Sequence, residues 1–387
     1  MDRKRHILVI PTWLPSPRDP ITGTYHHTFC RALCAREDLQ VNMLYMDAQG
    51  LKVAHKYPFL KKSYQMDCEG YQVFAKRILD CSRFSYDAYI RAYTRRLEKL
   101  FCQYVATHGK PDVIHAQVIL TAGYAAAVIG KKYGIPVVIT EHASYFQTFF
   151  TGKKEKYARF ACENARLTCV GKFMTEILRD RYGYEATVLP NIVEMSTFAR
   201  IPKVPGDGKT LRLLTVTALR IPKRVDDTIR ALHLLRKDGR IGPFRFTVVG
   251  DGLMMDHYRQ VANELEMLDV VEFVGRKNPQ EVSQYLSRAD MLIIASTIET
   301  FGIPAIEALA SGVPVVCTRC HGPEGFLSEA VAEFCESKNP ADLADAIARM
   351  AARLPEMDEN MLRDTADSFS SESVAAMSVD IYRELTE

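Results

Sequence analysis

Two carboxylates, two cations and a glycine-proline turn carry the most chemistry in this chain. Glu299 and Glu307 lie in the run Ser296-Thr297-Ile298-Glu299-Thr300-Phe301-Gly302-Ile303-Pro304-Ala305-Ile306-Glu307-Ala308-Leu309-Ala310. Pro304 suits the first turn of a helix, where a missing N–H costs nothing. Gly302 lets the backbone approach a ligand closely. The amides of Thr300, Phe301 and Gly302, with the positive end of that helix, predict an anion site. Glu299 on the loop and Glu307 on the helix would reach the same cleft. Two carboxylates beside an anion call for a ligand rich in hydroxyls, and sugars qualify. A second group, Ala218-Leu219-Arg220-Ile221-Pro222-Lys223-Arg224, sets Arg220 and Lys223 three apart just past an apolar run. Arg grips a diphosphate bidentately and Lys serves as a point charge. Taken alone, such a basic loop is an ordinary solvated surface.

The elements that position these residues follow from hydrophobic pattern. Continuous apolar runs at 7–11, 41–45, 113–116, 137–140, 167–170 and 187–189 read as buried parallel strands. Amphipathic stretches at 25–36, 86–108, 122–133 and 172–182 read as helices between them. Residues 201–210, rich in Pro, Gly and Lys, read as a linker. The alternation then restarts, with strands at 211–216, 246–250, 270–274, 291–295 and 313–317, and helices at 225–238, 254–268, 279–287, 304–310 and 340–354. The expectation is α/β: two Rossmann-like domains facing a cleft, 1–200 and 211–371. A helical tail over 372–387 has no place that the pattern alone assigns; the expectation is that it packs back on the domain 1–200. Gly208-Lys209-Thr210 resembles the end of a P-loop, but Lys203 stands where its first Gly belongs and no strand precedes it.

Composition agrees. The chain has 387 residues, 47% hydrophobic and 25% charged, with net charge +3, which excludes disorder as the main state and fits about two domains. No apolar run reaches the ~18 residues of a membrane span, and the short apolar start ending at Pro11 reads as a first strand rather than a signal peptide. The small net charge hides an asymmetry. Residues 1–190 carry 28 basic against 17 acidic side chains, a surplus of 11, and the remainder carries 22 against 30. Ten cysteines include one C-x-x-C, Cys317 and Cys320, without the further ligands of a zinc site, so free thiols are expected.

Together these segments resemble the GT-B glycosyltransferases of family 4. The resemblance rests on Arg220 with Lys223, Val248-Val249-Gly250-Asp251-Gly252, Val271-Glu272-Phe273-Val274-Gly275, the Glu299 and Glu307 pair, and Ala308-Leu309-Ala310-Ser311-Gly312-Val313-Pro314-Val315-Val316. In the first half it rests on Pro11-Thr12-Trp13-Leu14-Pro15-Ser16-Pro17-Arg18-Asp19-Pro20 with Gly23, Pro111-Asp112-Val113-Ile114-His115-Ala116, Ile135-Pro136-Val137-Val138-Ile139-Thr140-Glu141-His142, and Leu189-Pro190-Asn191. It implies a retaining, metal-independent transferase. Such an enzyme moves a sugar from a nucleotide-diphosphate sugar, a UDP-sugar above all, to a hydroxyl acceptor in cell-surface polysaccharide or glycolipid assembly. Arg220 and Lys223 would neutralise the leaving diphosphate, Glu307 would bind ribose hydroxyls, and Glu299 would contact the sugar beside the Phe301 and Gly302 amides. Gly23 would lie near the diphosphate and His142 by the transferred sugar. No cofactor is expected, and no Asp-x-Asp metal motif occurs.

The resemblance has departures. Thr22-Gly23 replaces paired glycines, Thr300 stands where Gly follows the first Glu, Gln117 stands where His is usual, and Ile192-Val193-Glu194 follows Asn191. A GT-B phosphorylase, an epimerase, and a non-catalytic nucleotide-sugar binding protein stay open as alternatives. His26 and His27 read as acceptor-facing or merely exposed, His115 as structural, Trp13 as packing or stacking. His321-Gly322-Pro323-Glu324 would border the donor. Cations at Lys52, Lys56, Lys61, Lys62, Lys76 and Arg77, among Tyr57, Phe59, Tyr64, Tyr71 and Phe74, read as a solvated face or a dock for an anionic inner membrane and a lipid-linked acceptor. The expected location is the cytoplasm, at the membrane's cytoplasmic face. No nucleic-acid module is recognisable.

Overall fold

Short apolar strands alternating with amphipathic helices build two largely parallel sheets, seen in a computed structural model that describes residues 3–16, 23–50, 63–199, 202 and 204–387. Contacts divide the chain into unit 1, Met1–Ile192 with Ser371–Glu387, and unit 2, Val193–Ser370. The division falls eight residues before the boundary placed at 200. Phe198 explains it: its carbonyl accepts from Ser311 Oγ, and Val193 N–H donates to the Phe369 carbonyl. These ties hold 193–199 to unit 2 and span more than a hundred residues of sequence, so local pattern does not reveal them.

Unit 1 contains β1 (Arg5–Pro11), β2 (Leu39–Gly50), β3 (Ser63–Cys68), β4 (Tyr71–Asp80), β5 (Val113–Gln117), β6 (Val137–Glu141), β7 (Arg166–Cys169) and β8 (Ala186–Val188). Their order across the sheet is β3-β4-β2-β1-β5-β6-β7-β8, parallel except where β3 meets β4. The hairpin β3–β4 has no counterpart among the expected strands. Its outer strand alternates exposed and half-buried positions, so it lacks the continuous apolar run of a buried parallel strand. The tail forms a helix over Ser371–Thr386 whose Val374, Ala375, Val379, Ile381 and Tyr382 enter the unit 1 core.

Unit 2 contains β9 (Leu211–Val216), β10 (Phe244–Val249), β11 (Val271–Gly275), β12 (Met291–Ile294), β13 (Val315–Thr318) and β14 (Ala332–Cys335), all parallel, in the order β11-β10-β9-β12-β13-β14. Counted from its first strand this is the doubly wound order 3-2-1-4-5-6, and ligands of such sheets bind beyond the strand ends where the winding reverses, here between β9 and β12. Four-residue β14 escapes the sequence reading because Glu333 interrupts its apolar run.

Several sequence expectations lie outside the described residues: Pro17, Arg18, Asp19, Pro20 and Thr22 of the N-terminal motif, the cations Lys52, Lys56, Lys61 and Lys62 with Tyr57 and Phe59, and Ile201 and Lys203 of the linker.

Candidate functional site

In unit 2 the candidate residues converge at the β9–β12 reversal. The loop after β9 carries Arg220 and Lys223; the loop after β12 carries Glu299. Lys223 Nζ donates to Glu299 Oε1 at 2.5 Å, and Ser296 Oγ donates to the same oxygen at 2.6 Å. A backbone bond from Thr297 N–H to the Pro222 carbonyl joins the two loops, and Glu299 N–H on the Cys320 carbonyl ties the second of them to the loop after β13. Lys223 and Glu299 are largely buried, at 23% and 15% side-chain exposure, so their attraction is less screened than that of a surface pair. Arg220 is exposed, and among the described residues nothing pairs with its guanidinium. Its neighbour Arg224 is instead used internally, gripping Asp227 with two hydrogen bonds of 2.8 and 2.6 Å.

Glycines set the shape of this rim. Gly250 and Gly252 press against the loop after β9: a Cβ on Gly250 would fall 1.8 Å from the Thr217 carbonyl oxygen, and one on Gly252 would fall 2.4 Å from that of Leu219. The Leu219 N–H bonds back to the Asp251 carbonyl, so the β10 loop holds the segment that leads into Arg220. Gly302 has φ +100°, and a Cβ there would meet Pro323 at 2.7 Å.

The helix Ile303–Ala310 starts at Gly302, with Pro304 in its first turn. Among the described residues no acceptor takes the N–H of Thr300, Phe301, Gly302 or Ile303. Those donors stand at the helix start where the sequence reading expects an anion. The Phe301 side chain points away, buried against Phe326 and Phe369, and contributes only its amide. Glu307 is half-buried one turn into the helix, and no partner among the described residues reaches its carboxylate. Burial pushes its pKa up to about 7. His321 lies on the adjoining turn at φ +80°, its N–H on Glu324 Oε2 at 2.5 Å. Cys317 and Cys320 are buried free thiols, with sulfurs 3.9 Å apart.

In unit 1 the winding reverses between β1 and β5, and Gly23 and His142 belong to this unit. Gly23 opens the helix Thr24–Cys34 at φ +87°, where a Cβ would lie 2.9 Å from the Trp13 carbonyl oxygen. His142 follows β6. Glu141 fixes its backbone: Oε1 accepts from the N–H groups of His142 and Ala143, and Oε2 from that of Ile119. The imidazole Nε2 of His142 lies 2.6 Å from Gln117 Oε1, and its ring stacks on Tyr25, which also accepts from Trp13 Nε1.

His26 corrects the reading that set it facing an acceptor or merely exposed. It is fully buried beside His142, with ring centroids 5.3 Å apart. His27 bonds Tyr71, and His115 bonds Tyr382 and Thr140, as a structural histidine should. Gln117, Ser296 and Cys320 were not singled out by spacing as site-forming. Only the fold brings them to their partners.

The basic and aromatic stretch is altered as well. Arg77 pairs with Asp47 at 2.9 Å and lies over Tyr64, while Tyr71 is buried and Phe74 packs on Tyr104. The described part of that stretch therefore turns its aromatics inward. Among the described residues no helix is long and apolar enough to cross a membrane, and no group of three His, Cys, Asp or Glu could hold a metal ion.

Comparison with known proteins reaches the same place. Residues 22–197 match the model of Glycosyltransferase Family 4, and residues 198–364 that of Glycosyl transferases group 1. The chain is 26% identical over 318 residues to an alpha-monoglucosyldiacylglycerol synthase of Streptococcus pneumoniae, covering 75% of this chain and 68% of that one. A glycogen synthase of Mycobacterium tuberculosis is 28% identical over 251 residues, covering 62% of this chain and 59% of the relative. The chain thus spans about three-fifths to two-thirds of these relatives. The fold also matches Anabaena Alr3699/HepE in complex with UDP, with TM-score 0.70 at 15% identity and coverage of 98% and 100%. The chain belongs to the family 4 glycosyltransferases and is an enzyme of the GT-B fold.

Proposed function

We propose that the chain transfers a sugar, with retention of configuration and without a metal ion, from a nucleotide-diphosphate sugar to a hydroxyl acceptor. The single observation that carries this reading is the meeting of Lys223 and Glu299 at the β9–β12 reversal, 2.5 Å apart, beside Arg220, whose guanidinium nothing among the described residues pairs. Departure of a diphosphate needs its growing negative charge stabilised. In this reading Arg220, Lys223 and the free amides at 300–303 supply that charge, which replaces a metal. Glu299 holds the sugar hydroxyls, and Glu307 holds the ribose hydroxyls. Gly23 approaches the diphosphate and His142 approaches the transferred sugar. A UDP-sugar is favoured by the UDP complex of the Anabaena neighbour. A lipid-linked or polysaccharide acceptor, met at an anionic cytoplasmic membrane face, is favoured by the glycolipid name of the streptococcal relative and by the basic surplus of residues 1–190.

The test is a panel of UDP-, GDP- and ADP-sugars in EDTA, read first by thermal shift and then by NMR of the product. A bound donor raises the melting temperature. The expected result is a shift with UDP-sugars and a product of retained anomeric configuration. Inversion, or activity that appears only when Mn²⁺ is restored, overturns the mechanism. Turnover that requires inorganic phosphate marks a phosphorylase, and donor binding with neither transfer nor hydrolysis marks a binding protein.

A further inference from the structure

Gln117 and His142, at the carboxyl ends of two unit 1 strands, and His26, in the first turn of the helix Thr24–Cys34, hold polar atoms with no hydrogen-bond partner among the described residues. His26 is fully buried and Gln117 is 2% exposed. Among the described residues both ring nitrogens of His26, Gln117 Nε2 and His142 Nδ1 are buried and without a hydrogen-bond partner. A buried polar group left unpaired costs about 1–3 kcal/mol. Four such atoms on three side chains that line one recess are a standing cost, unless something occupies the recess. The recess they line, with Tyr25, Thr140 and Asn191, leaves about 10 Å³, the room of one water molecule or one hydroxyl group.

The chemistry of the lining selects the occupant. His142 Nε2–H donates to Gln117 Oε1, which leaves Nδ1 as an acceptor, and the Asn191 side chain also reaches the ring. Gln117 Nε2 offers only donors, and neutral His26 offers one of each. Burial lowers the pKa of both His26 and His142, so the recess carries no positive charge at neutral pH. An anion gains little there, whereas a group that donates and accepts satisfies both kinds of atom.

We propose that His26, Gln117 and His142 form a recess for a single sugar hydroxyl, with His26 and Gln117 as specificity-determining residues. The identity of that hydroxyl as a sugar's rests on the proposed function; the existence of the recess does not. A site built to bond a hydroxyl rejects the analogue that lacks it far more strongly than an apolar pocket does.

Two readouts on the full chain separate the claims. The first is the melting temperature of free His26→Leu and Gln117→Leu. The expected result for His26→Leu is a rise of a few degrees over wild type, because an unpaired polar ring is replaced by an apolar side chain of similar size. A fall overturns the recess whatever the donor, and indicates a buried water only. The second is kcat/KM for UDP-glucose, or for whichever UDP-sugar the wild type turns over, against its 3-, 4- and 6-deoxy analogues. One deoxy analogue should lose at least 100-fold in wild type and under 10-fold in His26→Leu or Gln117→Leu. Equal use of every analogue by wild type overturns the hydroxyl assignment while leaving the transferase reading intact. If no nucleotide sugar is turned over, the transferase reading fails and the stability comparison alone decides the recess.

Discussion

At the residue scale, Lys223 and Glu299 stand 76 positions apart in sequence and 2.5 Å apart in space. Their types and flanking loops were legible; their contact was not, because it depends on which strands adjoin. The same holds for His142, whose imidazole geometry depends on Gln117 from a neighbouring strand. Lys223→Ala and Arg220→Ala should each lower turnover by about 10²-fold, the scale of losing one preorganised donor to a transition-state anion. Arg220→Ala should leave the melting temperature unchanged, since its exposed side chain pairs with nothing among the described residues. Steady-state rates with a UDP-sugar, beside a thermal melt, check both.

Glu307 gives a pH prediction at the same scale. Burial raises its pKa to about 7, above the ~4.5 of an unfolded glutamate, so it favours the folded protein at low pH and loses that contribution as pH rises through 7. Ribose hydroxyls favour the charged carboxylate, so binding lowers the pKa. UDP-glucose affinity should therefore rise from pH 6 to about 7.5 and then level. Glu307→Gln should flatten the profile and raise the melting temperature at pH 8. Calorimetry at three pH values checks the first part. An unchanged pH slope in the variant contradicts it.

At the scale of elements, the buried parallel strands were legible because both of their faces are covered, which demands continuous apolar runs. The hairpin β3–β4 was not, because one strand lies at the sheet edge and the other interleaves Lys76 and Arg77 among its apolar residues. Val248-Val249-Gly250-Asp251-Gly252 was legible as a motif, but its task appears only in contact with the loop after β9. Gly250→Ala would drive a Cβ to 1.8 Å from the Thr217 carbonyl and displace the segment leading to Arg220. It should cost about 1–3 kcal/mol of stability, the range for a non-glycine residue held in a strained backbone, and lower kcat/KM as well. Denaturant titration with kinetics on the same sample checks it. Full activity in a destabilised protein would separate the loop from the site.

At the scale of the whole molecule, the chain crosses from unit 1 to unit 2 and returns. The helical tail was legible as a helix, with a return to the first domain as the expectation; the contacts that hold it were not legible, since they rest on one buried hydrogen bond, His115 Nδ1 with the Tyr382 hydroxyl at 2.6 Å, and on an apolar face whose match lies in the first 200 residues. Tyr382→Phe removes that hydroxyl and leaves a buried ring nitrogen unpaired. It should cost about 1–3 kcal/mol in denaturant unfolding without changing nucleotide affinity. The small net charge of +3 joins a basic and an acidic half, so in this account unit 2 binds a diphosphate through a few placed cations rather than through its overall field.

In the proposed mechanism Arg220 and Lys223 take the place of a metal at the diphosphate. Calorimetric titration of UDP into wild type, Arg220→Ala and Lys223→Ala, all in EDTA, tests it most directly. One site is expected in the wild type, with at least tenfold weaker binding in each variant. Equal affinity in all three proteins, or binding that appears only after Mn²⁺ is added, would contradict it.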